Sequence, residues 1–141
     1  MDFAACKKNN LAKDVKVDKN LIESLLKSSS KKFQTQKLLK LDDDTASSKI
    51  TLIYDAMREI LESLAISKGY KIYNHECYCA FLKEIMKESS LGDTFNNFRK
   101  IRNDIDYYGK DISANDAKQI IRGMVAFMDF IKREFFNSNE K

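Results

Sequence analysis

Proline is absent from these 141 residues and glycine occurs only four times. Little in the chain therefore interrupts long helices, and few tight turns are available. Histidine occurs once, at His75, so any acid–base step that needs an imidazole must use that residue. Cysteine occurs three times. An odd count, with Cys77 and Cys79 close together, is no disulfide framework and leads us to expect buried or half-buried thiols in a cytoplasmic protein. The apolar runs are far too short to span a bilayer, and Met1 to Lys8 lacks an apolar core of signal-peptide length, so no membrane partner is expected. Glycine-rich phosphate loops, the dinucleotide fingerprint and the serine elbow are missing as well, so no cofactor is expected.

What is present is a chain with 43% hydrophobic and 33% charged residues. That balance suits one soluble domain over residues 1–141 with a real hydrophobic core. The net charge of +4 permits contact with nucleic acid without arguing for it, since most of these lysines serve equally well as a solvated face.

Residues 1–17 carry Phe3, Leu11, Val15 and Val17 scattered among lysines and asparagines, which predicts at best a short helix or an arm. Asp18 is a plausible cap for a helix to about Lys40, with Ser28-Ser29-Ser30 marking a bend or a close helix approach. Asp42-Asp43-Asp44-Thr45 is a break whose acids suit the positive end of the next helix. That helix, about Ala46 to Lys68, carries Ile50, Ile53, Tyr54, Met57, Ile60, Leu61 and Leu64 at spacings of mostly three and four, a stripe that must be buried.

Gly69 suits a helix end, and Tyr70 to Tyr73 reads as a connector. Asn74 is expected to cap a helix from His75 to about Glu88, and Ser89-Ser90-Leu91-Gly92 is expected to be a loop. Another helix then runs from Asp93 or Thr94 to Gly109, anchored by Phe95, Phe98, Ile101, Ile105 and Tyr108. Ser113 starts a last helix to about Phe136, where Phe127 and Phe130 widen the apolar stripe enough to hint at a face shared with a partner subunit. No useful strand alternation appears. The predicted class is all-α, an up-and-down bundle of four to five antiparallel helices.

The chemistry gathers in Phe98-Arg99-Lys100-Ile101-Arg102-Asn103-Asp104-Ile105-Asp106-Tyr107-Tyr108. Arg102 can pair with Asp106 one turn later and merely orient a neighbouring helix, with the tyrosines filling space. Alternatively its guanidinium faces a phosphate, supported by amide and phenol hydrogen bonds from Asn103, Tyr107 and Tyr108, with Arg99 adding charge at the rim. His75 is either a packed or capping residue or a member of a polar site shared with the Arg102 helix. At a helix start it suits a neutral hydrogen-bonding role. A metal is not expected: in His75-Glu76-Cys77-Tyr78-Cys79 the two thiols point about 200° apart, and no second pair completes four ligands.

Arg102-Asn103-Asp104-Ile105-Asp106-Tyr107-Tyr108-Gly109 on a late helix of a small bundle resembles the HEPN family (higher eukaryotes and prokaryotes nucleotide-binding), in its archaeal or bacterial form. Ala65 to Glu76 also resembles the helix junction of such proteins, as does the whole span from about Asp44 to Phe136, with the N-terminal third covered only loosely. The resemblance implies a helical bundle that pairs as a homodimer, with Arg motifs facing a shared cleft. It implies nuclease action on RNA in many members, and partnership with a nucleotidyltransferase, as in toxin–antitoxin pairs, in others. This chain has Tyr107 where the family motif has histidine. A phenol is a poor base near neutrality, since its ordinary pKa is about 10. Three functions follow from the resemblance. The favoured one is binding of RNA or a nucleotide phosphate without catalysis. The second is a metal-independent ribonuclease using Arg102 and His75, and the third a partner module for a nucleotidyltransferase.

Overall fold

The computed structural model describes residues 1–136; the last five positions of the expected domain lie outside them. Four long helices carry the fold: α2 (Lys19–Lys37), α3 (Ala46–Ser67), α5 (Ser89–Tyr108) and α6 (Ala114–Phe135). Two short ones, α1 (Phe3–Lys8) and α4 (His75–Ala80), and two three-residue strands, β1 (Ala12–Asp14) and β2 (Tyr70–Ile72), complete it. The all-α class is met, with one small sheet added.

The N-terminal segment is both a short helix and a strand. Asp2 caps α1 by accepting from the Ala5 N–H at 2.8 Å. β1 then pairs antiparallel with β2, Ala12 opposite Ile72. Three residues are too few to show a period in sequence, so this pairing is visible only once Ala12 and Ile72 are buried together.

α3 is the central element, packing against α2, α5, α6 and β2. Its predicted stripe is buried in full: Ile50, Ile53, Tyr54, Met57, Ile60, Leu61 and Leu64 are all within 1% of complete burial. Polar residues accompany them on other faces, as befits a helix covered nearly all round. Ser29 Oγ donates to the Ala56 carbonyl at 2.7 Å, and Ser28 Oγ donates to Glu59 at 2.8 Å. The serine run is thus where α2 and α3 approach closely, and α2 continues through it.

Three boundaries depart from expectation. The helix begun at His75 gives way after Ala80 to a π-helical segment, Phe81–Ile85, closed by Met86 N–H to the Phe81 carbonyl at 3.1 Å. The expected loop at Ser89–Gly92 is instead the first turn of α5. Gly92 is there because a Cβ would come within 2.6 Å of Lys83 Cγ and 3.0 Å of the Cys79 carbonyl oxygen. The turn between the two is made by Lys87, at φ 58°. In the third, Asp43, in the turn before α3, does not serve the start of that helix but accepts from the Ala114 N–H at 2.7 Å, capping α6 across the fold. Gly109 ends α5 in the left-handed conformation, as expected.

Two further expectations are corrected. Cys6 and Cys77, 71 positions apart, form a disulfide, leaving Cys79 as the free thiol. The odd count concealed one pair, because sequence distance says nothing of which thiols the fold brings together. The cysteine content therefore gives no support to a reducing compartment. Phe127 is 4% exposed and packs on Phe95 and Phe98 at ring-centroid distances of 6.3 and 6.0 Å. Its contribution to the wide α6 stripe is used within the chain. Among the described residues no helix is long and apolar enough to cross a membrane.

Candidate functional site

Asn74 starts α4 by accepting from the Cys77 N–H at 3.3 Å, and this fixes His75 as the first helical residue. The Cys6–Cys77 bridge ties the same turn to α1. α5 runs alongside, and its uninterrupted helical repeat sets Arg99, Arg102 and Asn103 on the side facing α4. The result is an open hollow of about 360 Å³. Arg99, Arg102, Asn103 and Tyr107 enter it from α5, and Tyr73, Asn74, His75 and Glu76 from the β2–α4 junction.

Arg102 is held on three sides. Its guanidinium carbon lies 5.4 Å from the Tyr54 ring centroid and 5.8 Å from that of Tyr107, both within cation–π range. Its Nε is 2.8 Å from Asp106 Oδ2. That Nε is buried and makes no aligned hydrogen bond, so the contact is a charge pairing only. Among the described residues no protein group is hydrogen-bonded to its terminal nitrogens, which retain solvent contact. The ion pair and the hollow therefore coexist: Asp106 takes the inner edge of the guanidinium and leaves the outer edge open.

Arg99 donates from Nε and one terminal nitrogen to Asn96 Oδ1 at 3.1 and 2.9 Å, and lies 3.9 Å from Glu76. It stands between this hollow and a second one of about 430 Å³, which also takes in Lys83 and Lys100. Both hollows share Arg99 and Glu76.

His75 Nδ1 is 2.9 Å from the Tyr54 hydroxyl oxygen. Burial, and then the charges of Arg58, Arg102 and Arg99, push its pKa down to about 4. The imidazole is neutral at pH 7. Arg58 belongs to a neighbouring network in which it and Lys71 bind the buried Glu62. Burial acts to raise the Glu62 pKa, but those two hydrogen bonds outweigh it and the carboxyl sits below its usual range.

Of the residues singled out in sequence, His75, Arg99, Arg102, Asn103 and Tyr107 line one hollow. Tyr108, 82% exposed, does not line it. Tyr54 and Tyr73 were not singled out for the site. Tyr54 was placed in the core stripe, where it does sit, but a fully buried phenol needs a partner, and that need pointed to a polar neighbour. Tyr73, 53% exposed, had only its place beside Asn74 and His75 to mark it.

Compared with models of protein families, with curated proteins and with solved structures, the chain gives no match in any of the three.

Proposed function

We propose that the hollow between α4 and α5 binds a phosphate of RNA or of a nucleotide, and that the chain is a HEPN-like helical module that binds without cutting. The observation that carries this reading is the convergence of Arg99, Arg102, Asn103 and His75 on one open hollow, with the outer edge of Arg102 unpaired. A guanidinium with free terminal N–H groups matches two phosphate oxygens at once. Tyr73 and Tyr107, 53% and 69% exposed on the same rim, offer faces on which a base can stack.

Catalysis is disfavoured by His75 itself. A base whose pKa lies near 4 is too weak to take a proton efficiently at neutral pH, and Tyr107 stands where the family motif has its histidine. The reading carries with it a homodimer in which two such hollows face one another, and it leaves room for a nucleotidyltransferase as partner.

The test is binding of a fluorescent uridine hexanucleotide. Arg102→Ala should weaken it by about tenfold or more, with an unchanged helical circular dichroism spectrum. Equal affinity in that variant refutes the reading. Cleavage of the same RNA in the presence of a chelator, abolished by His75→Ala, would replace it with the ribonuclease.

A further inference from the structure

The Tyr54–His75 contact contains more information than a distance, because only one arrangement of its protons leaves nothing buried and unpaired. Tyr54 is fully buried, and its hydroxyl has His75 Nδ1 as its side-chain partner. Burial raises the phenol pKa well above its ordinary value, so the hydroxyl keeps its proton. If Nδ1–H donated to the phenol oxygen, the phenol proton would be left in the core without an acceptor, at the cost of a desolvated donor. If instead the phenol donates to the Nδ1 lone pair, both groups are satisfied, and a neutral imidazole must then carry its proton on Nε2. Nε2 has no hydrogen-bond partner among the described residues and is not a buried unsatisfied atom, so it is open to solvent in a residue that lines the hollow.

We infer that Tyr54 is a positioning residue that locks His75 as the Nε2–H tautomer, making His75 an uncharged hydrogen-bond donor to an anionic oxygen held by Arg102. This deepens the proposed phosphate site and rests on it. The ligand atom at His75 must be an acceptor, such as a phosphoryl oxygen. A hydroxyl that has to lose its proton to His75 is not served, because the one nitrogen with a free lone pair is occupied by Tyr54. The groups around the ring are Tyr54 and Arg58 from α3, Tyr78 and Glu76 from α4, and Arg99 and Arg102 from α5. The three arginines oppose a protonated ring, so the lock holds across the neutral range.

Two measurements test this. Long-range proton–nitrogen NMR of the single histidine, on the full chain without ligand, should report protonated Nε2 and bare Nδ1 at pH 7. Tyr54→Phe, which preserves the packed ring, should give a mixture of tautomers. An Nδ1–H signature in the native protein overturns the inference. Binding of the uridine hexanucleotide supplies the second test. His75→Gln places an amide N–H close to the position of Nε2 and should stay within about threefold of native affinity, whereas His75→Asn, whose amide falls near Nδ1, should lose about tenfold. Native affinity in His75→Asn together with a loss in Arg102→Ala overturns the donor role alone. Native affinity in both variants overturns the phosphate site and the donor role with it.

Discussion

At His75, burial and three guanidinium groups act in the same direction, and the consequence is measurable without any ligand. Its pKa is about 4 in the fold against 6.5 ordinarily. Between those values the unfolded chain binds a proton that the folded chain refuses, so the unfolded state holds more protons and stability rises with pH. The stability contribution is therefore complete above about pH 6.5, declines as pH falls through this window, and levels off below about pH 4. Because the ring is partly solvated, we expect a loss on the order of 1–2 kcal/mol rather than the full value of the shift. Urea midpoints at pH 7 and 4.5 should differ more in the native protein than in His75→Gln. Equal differences would show that the imidazole is not held neutral by the fold. Arg102 could be picked out in sequence because it shares one helical run with Arg99, Asn103, Asp106 and Tyr107. Its setting between the Tyr54 and Tyr107 rings could not, since Tyr54 comes from a helix 48 positions earlier.

At the scale of elements, two small residues govern how helices approach. Ser29 lies fully inside the α2–α3 contact with its hydroxyl on the Ala56 carbonyl. Ser29→Ala should cost about 1 kcal/mol of unfolding free energy through that hydrogen bond, and Ser29→Leu should cost more by forcing the helices apart. Gly92 plays the corresponding part between α4 and α5. A helical glycine replaced by alanine normally gains about 1 kcal/mol. Here the new methyl would meet Lys83 and the Cys79 backbone oxygen, and overpacking of that kind costs roughly 1–3 kcal/mol. Gly92→Ala is thus expected to be destabilising on balance. A raised melting temperature in that variant would mean that α4 yields easily. The serine run was legible as a place of close approach because three small polar residues interrupt an apolar stripe. Gly92 inside a helix is not legible in the sequence: the Ser-Ser-Leu-Gly pattern suits a loop locally, and only packing against Cys79 and Lys83 makes a glycine preferable there.

For the whole molecule, the Cys6–Cys77 bridge closes a loop of 71 positions and fastens α1 to the turn that bears His75. Constraining the unfolded chain over such a span is worth up to about 4 kcal/mol. Reduction, or Cys6→Ser, should lower the thermal midpoint clearly, and alkylation of the unreduced native protein should label one cysteine, Cys79. Labelling of all three would refute the bridge.

The sequence by itself determined the helical class, the buried stripe of α3, the Ser113 and Gly109 helix ends, and the residue types able to meet a phosphate. Those features depend on periodicity and local backbone chemistry, which neighbouring residues carry. Tertiary structure alone decided that Cys6 reaches Cys77, that β1 finds β2, that Asp43 caps α6, and that Tyr54 sits beneath His75 and Arg102. Each of these joins positions remote in the chain, and their meeting depends on how the buried faces pack together, which no local pattern encodes.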